Sequence, residues 1–139
     1  MFIYTGKLEW YSSAVDELLV VVLPNGPVRV GDEIYTYSQW TKDSKGNKKV
    51  KFFQHQFIDK VTRADNGDDT FTFGRGYYSY KVQVQDGYRT ISLTMSNPAG
   101  AERNMSLDRT YLPSGETSTG SARIWTGTLN WYVILPRGL

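Results

Sequence analysis

The stretch that most constrains this chain runs from Tyr77 to Ser96, two alternating arms around Asp86-Gly87. An Asp-Gly pair between alternating apolar residues is a strong hairpin signal, and it favours a two-residue loop. With that loop Gln85 faces Tyr88. Counting outward pairs Val84 with Arg89, Val82 with Ile91, Tyr80 with Leu93 and Tyr78 with Met95. The opposite face pairs Gln83 with Thr90, Lys81 with Ser92, Ser79 with Thr94 and Tyr77 with Ser96. A slip of one residue would mix the two faces, so their assignment is well specified. One face enters a core. The other is a polar platform that ends in Tyr77 and Tyr88.

One hairpin cannot bury its apolar face alone, and the rest of the chain supplies more strands. Turn signals recur at Pro24-Asn25-Gly26-Pro27, Gly31-Asp32, Asn66-Gly67 and Asn97-Pro98-Ala99-Gly100, and helical periodicity is nearly absent. This spacing predicts an all-β chain. Glu17 to Leu23 is a continuous apolar run, which fits a central strand covered on both faces. Val28 to Val30 reads as a short strand. Ile34 to Trp40 alternates, with Tyr35 and Tyr37 on one face. Thr41 to Lys49 is a Lys-rich loop, and a solvated hairpin connection is its plainest role. Val50 to Arg63 is one bent strand or two short ones, and Thr70 to Phe73 returns from the Asn66-Gly67 turn. Glu102 to Leu107 is a strand that Asp108 to Leu112 extends, and Pro113 to Ser121 is an exposed loop. Together these give an antiparallel β-sandwich, jelly-roll-like, of nine or ten strands in a single domain spanning residues 1–139. A closed β-barrel is the alternative.

A nine-residue phrase occurs near both ends of the chain. Ile3-Tyr4-Thr5-Gly6-Lys7-Leu8-Glu9-Trp10-Tyr11 returns as Ile124-Trp125-Thr126-Gly127-Thr128-Leu129-Asn130-Trp131-Tyr132. Both copies alternate as strands, the first with Tyr4, Gly6, Leu8 and Trp10 on one face and Thr5, Lys7, Glu9 and Tyr11 on the other. Periods of roughly 20–50 residues mark solenoids and propellers, and none is present. Three readings follow: neighbouring strands in one sheet, equivalent places in a pseudo-symmetric fold, or two similar ligand sites. Alternating apolar rows usually mean core, so the structural readings lead and put the two motif strands in equivalent or adjacent positions.

Composition narrows the function by exclusion. There are no cysteines, hence no disulfide framework and no thiol nucleophile or thiolate metal site. Met1-Phe2-Ile3-Tyr4 lacks the charged and apolar regions of a signal peptide, which predicts a cytoplasmic location, or export without a recognisable signal. Net charge is +2 with acids and bases interspersed, which argues against nucleic acid, where a basic stripe is expected. His55 is the single histidine, so a histidine metal cluster is impossible and a Ser-His-Asp relay would have to use it. Lying between Gln54 and Gln56 among phenylalanines, it reads as a hydrogen-bonded structural imidazole. Asp65, Asp68 and Asp69 surround Asn66-Gly67 without the spacing of a calcium loop, and read as a turn. Asn104-Met105-Ser106 fits a glycosylation sequon, a match that arises often by chance. No metal, cofactor or catalytic constellation is expected, and the chain reads as a non-enzyme.

What remains is aromatic rings beside hydrogen-bonding side chains. The chain has ten Tyr, six Phe and four Trp. Rings cover the C–H faces of a sugar while amides, hydroxyls and a guanidinium take its hydroxyls. The expected ligand site combines Trp40, Arg75, Tyr77, Lys81, Gln83, Tyr88 and Thr90. The function expected is a lectin-like carbohydrate-binding protein, with a glycan or glycoconjugate as partner and homo-oligomer formation. The alternatives are a self-assembling structural protein, or a pore-former-like protein that meets membranes through surface glycans or lipids.

Overall fold

The computed structural model describes residues 1–11, 14–42, 48–74 and 76–110. Within them lie eight strands: β1 (Phe2–Gly6), β2 (Val15–Leu23), β3 (Glu33–Thr41), β4 (Lys49–Thr62), β5 (Thr70–Phe73), β6 (Ser79–Gln85), β7 (Thr90–Ser96) and β8 (Glu102–Thr110). Each pairs antiparallel with the next, and β8 returns to β1 through Ile3–Thr110, Tyr4–Arg109 and Thr5–Asp108. The architecture is all-β, but it is a closed up-and-down barrel and not a sandwich. Closure leaves β1 between β2 and β8, so no open edge remains there. Arg75, the second copy of the motif and the loop expected over Pro113 to Ser121 lie outside the described residues.

Period-two alternation decides what the barrel encloses. Tyr4, Leu19, Val21, Leu23, Ile34, Ile58, Phe71, Phe73, Val82, Val84, Ile91, Leu93, Met105 and Leu107 point inward and are buried. Phe73 stacks on Tyr80 with centroids 4.7 Å apart and planes within 9°. An eight-stranded barrel is just wide enough for such side chains to fill it. β2 departs from the two-sided burial expected of Glu17 to Leu23. Its inner row is core, while Leu18, Val20 and Val22 form an outer row that is only partly buried. Val28 to Val30 is not a strand. Val28 is a loop residue, fully buried at the barrel end. Val50 to Arg63 is one strand, β4, with a register shift between Ile58 and Lys60.

The central hairpin keeps its faces and moves its register. Gln85 pairs with Thr90, Val84 with Ile91, Val82 with Leu93 and Tyr80 with Met95. The loop is therefore Asp86–Arg89, closed by Arg89 N–H donating to Asp86 C=O at 3.1 Å. Asp86, Gly87 and Tyr88 take φ of +50°, +60° and +68°. Three successive left-handed residues cannot belong to a strand, and they turn the Tyr88 ring into the barrel instead of onto the outer platform.

The two barrel ends differ. One is closed by Tyr88, which packs on Phe2 at 5.8 Å and presses against Gly26, where a Cβ would come within 2.7 Å of the ring. Its hydroxyl donates to Asp69 Oδ2 at 3.0 Å and accepts from the Val28 amide at 3.1 Å. Arg63 Nη1 donates to the same Asp69 oxygen at 2.8 Å, and the Ala64 amide donates to Oδ1 at 3.2 Å. The other end collects the close of β1, β3, β5 and β7 and the start of β2, β4, β6 and β8.

Candidate functional site

That second end is an aromatic mouth, and it is built by a break in β1. The strand ends at Gly6, and Glu9 takes a left-handed φ of +53°. Left-handed backbone is uncommon for a residue with a side chain and must be held by its surroundings. Glu17 does this here. Its carboxylate accepts from the Glu9 amide at 2.8 Å and from the Tyr11 amide at 3.3 Å. The chain can then set Trp10 and Tyr11 across the opening, where strand continuation would have sent them to opposite faces.

Three other elements complete the rim. Tyr11 meets Trp40 at the end of β3, centroids 5.1 Å apart and tilted by 32°. Trp10 meets Tyr78 edge-on at 5.3 Å, and Tyr78 meets Tyr77 edge-on at 4.9 Å. Arg103 of β8 places its guanidinium 6.0 Å from the Trp10 ring. Beneath the rings, Thr36, Ser38, Gln54 and Tyr80 line a small cavity of about 30 Å³. Tyr80 donates to Gln54 Oε1 at 3.3 Å. Burial pushes the Tyr80 phenol up to about 12, with the neighbouring Tyr78 adding to the effect. Burial likewise pushes Tyr11 to about 12, with a hydrogen bond to Tyr78 next in weight. Both therefore stay neutral donors at ordinary pH.

Outside the rim, Tyr11 and Trp40 form one wall of a groove of about 660 Å³. Lys42, Lys48, Lys49 and Lys51 line it, with Ala14 and Val50. The hairpin that carries the lysines is pinned by Lys42 N–H donating to Lys48 C=O at 3.0 Å. Its described lining offers rings and ammonium groups, and no carboxylate or imidazole. Of the residues expected to form a site, Trp40 is at this mouth and Tyr77 is beside it. Lys81, Gln83 and Thr90 lie on the outer wall. Gln83 is occupied, accepting from Thr70 Oγ1 at 2.8 Å and donating to Asp68 C=O at 2.7 Å. Thr90 bonds Asp108 Oδ1 at 3.3 Å. Tyr88 is buried at the opposite end, so the six that lie among the described residues do not converge. Sequence reasoning missed Trp10, Tyr11, Tyr78 and the lysines. The repeated Trp-Tyr was the available signal.

His55 is exposed on the outer wall, stacked on Tyr35 at 4.4 Å and 3.4 Å from Glu33 Oε1. Among the described residues no group of three or more His, Asp or Glu is placed to hold a metal ion. No protein-family model, curated protein or solved structure matches this chain.

Proposed function

We propose that this protein is a lectin-like, non-catalytic binder of acidic saccharides, which it holds at the barrel mouth. The observation that carries this reading is the Tyr11–Trp40 pair forming one wall of a groove lined by four lysines. A sugar ring presents C–H groups that stack on an aromatic face, and a sulfate or carboxylate on it would meet the ammonium groups. The volumes separate two modes of binding. Ligand sites usually occupy roughly 300–1,000 Å³. The outer groove falls in that range, whereas the internal cavity of about 30 Å³ has room for about one water. The ligand therefore lies across the rim instead of entering the barrel.

Titration calorimetry with sulfated or uronate-bearing oligosaccharides tests this. Each exposed ion pair is worth about 0.2–1 kcal/mol, so four give from roughly a four-fold to just under a thousand-fold preference over the neutral sugar, weakened by salt. Trp40→Ala removes a stacking partner and lowers affinity several-fold. Binding that is indifferent to Trp40→Ala, or an oligonucleotide that binds more tightly than any saccharide, would overturn the proposal.

A second reading rests on the outer wall of β1 to β4. Phe53, His55 and Phe57 are exposed there beside Tyr35, and Leu18, Val20 and Val22 adjoin them. The outer wall of β6 to β8 is instead polar, with Lys81, Ser92, Thr94, Asn104 and Ser106. An apolar patch confined to one side suits a homo-oligomer contact. Sedimentation of the wild type and of Phe53→Lys decides it. A wild type that stays monomeric at high concentration would refute self-association through this wall.

A further inference from the structure

The barrel closes over only part of β4. The later residues of this strand pair with β5, through Ile58–Phe73, Lys60–Thr72, Val61–Phe71 and Thr62–Thr70. The earlier ones, Lys49 to Phe57, pair with β3 on one side and with no described strand on the other. β5 has only four residues and ends at Phe73, so it cannot follow β4 further. A free edge results, about 30 Å long at ~3.3 Å per residue. We infer that this edge pairs with the same edge of a second copy of the chain, antiparallel, about a two-fold axis at Phe53. The inference rests on the self-association read from the outer wall, and gives it an element, an axis and a register.

The direction of the backbone groups selects the register. The Ile58 amide donates to Asp32 C=O at 2.9 Å, and Ile58 C=O accepts from the Gly31 amide at 2.8 Å, so both face the β3 side. In an antiparallel ladder successive residues turn these groups to alternate sides. Those of Gln56, Gln54, Phe52 and Val50 therefore face β3, and those of Phe57, His55, Phe53, Lys51 and Lys49 face the free edge. An axis at Phe53 matches this second set with itself. Phe53 meets its own equivalent, Lys51 meets His55 and Lys49 meets Phe57. An axis placed elsewhere along β4 leaves part of the edge unpaired.

The side chains argue for a second copy as the occupant. Edge lysines usually keep other chains away. Here Lys49 and Lys51 occupy one half of the edge, and Phe53, His55 and Phe57 the other. Parallel, in-register pairing would set lysine against lysine, whereas the antiparallel two-fold opposes none. It joins Phe53 to Phe53, each 42% exposed in the single chain, and opposed aromatic pairs stabilise sheets. It also brings Lys51 to His55, whose Nε2 lies 3.4 Å from Glu33 Oε1, so an ammonium of one copy meets a carboxylate of the other. At that end Phe57 is 54% exposed, and His55, Gln56 and Phe57 line a groove of about 370 Å³ with Gly74 and Gly76.

Sedimentation and hydrogen exchange of the full-length chain test this. The wild type should dimerise, and the Lys51, Phe53, His55 and Phe57 amides should gain protection as concentration rises. Lys51→Pro removes one edge-directed amide and spares the bonds to β3 and the rings of the wall. It should be monomeric and still melt cooperatively. His55→Lys sets like charges opposite each other on both sides of the axis, and should weaken the dimer roughly two- to thirty-fold. Adding Lys51→Glu should restore it, and this exchange decides the matter if Lys51→Pro fails to fold. Val20→Lys, on the outer wall away from the edge, should leave the dimer unchanged. A wild type that stays monomeric at high concentration would overturn the inference together with self-association through the wall. A dimer abolished by Val20→Lys but indifferent to His55→Lys would overturn the inference alone, because the sheet face would then be the contact.

Discussion

Replacing Tyr88 by Phe should loosen the closed end of the barrel and leave the mouth intact. The hydroxyl that is lost serves two partners, Asp69 Oδ2 at 3.0 Å and the Val28 amide at 3.1 Å. Asp69 is 2% exposed and Val28 is fully buried, so water cannot replace the missing group. A hydrogen bond to a charged group contributes about 1.5–3 kcal/mol, and an unsatisfied buried donor costs about 1–3 kcal/mol. The ring itself stays, and Asp69 keeps Arg63 and Ala64. A net loss of about 2–4 kcal/mol follows. For a chain of this size that lowers the melting temperature by roughly 6–15 °C. Acid unfolding supplies an independent readout. Burial alone would raise the Asp69 carboxyl, but the Ala64 amide, Arg63 and Tyr88 outweigh it and hold it below its ordinary value. A carboxyl that is lower in the folded state than in the unfolded one stabilises the fold above the unfolded value of about 3.9. That contribution is lost as pH falls through the folded value. Tyr88→Phe removes one of the bonds that holds the carboxyl down, so its acid transition should begin at higher pH than that of the wild type. Circular dichroism across temperature and pH measures both effects. A melting shift under about 2 °C with an unchanged acid transition would refute the account of this end as a coupled network.

Three further outcomes follow from the same geometry. Gly26→Ala drives a Cβ into the Tyr88 ring, so it should destabilise, and should add little further loss to Tyr88→Ala, as two-state melts of the double variant can check. Spectrophotometric titration of the folded chain should show the Tyr11 and Tyr80 phenols ionising only near pH 12, after ordinary phenols at about 10. The stability those raised values confer is present below about pH 10 and lost as pH rises through 12. Glu17→Ala frees the Glu9 and Tyr11 amides, and should weaken saccharide binding several-fold with a melting loss of only a few degrees. An unchanged affinity would mean that the rim needs no such support.

The residues that carried legible information are those whose constraint is local. In the hairpin of β6 and β7 the register moved by two residues, yet Tyr80, Val82, Val84, Ile91, Leu93 and Met95 still form the inner face. Side-chain direction has a period of two, so a shift of two preserves it. What moved the register was Tyr88, whose left-handed backbone nothing in an Asp-Gly signal announces. The choice between sandwich and barrel is not local. Alternation states that each strand has one buried face. It does not state whether that face meets a second sheet or the far side of its own, and the contact that decides is Ile3–Thr110 between distant parts of the chain. The site was harder still, because it sits where strands end. Extending β1's alternation to Trp10 and Tyr11 splits them between core and solvent. The chain leaves strand geometry at Gly6, and Glu17 holds the departure from eight residues away. The lysines of the β3–β4 connection look like an ordinary solvated loop until closure sets Tyr11 beside them. Strand interiors are read from periodicity, but a rim is assembled from strand ends that only the closed barrel brings together. Besides Trp40, the repeated Trp-Tyr was therefore the part of the mouth that the sequence could mark.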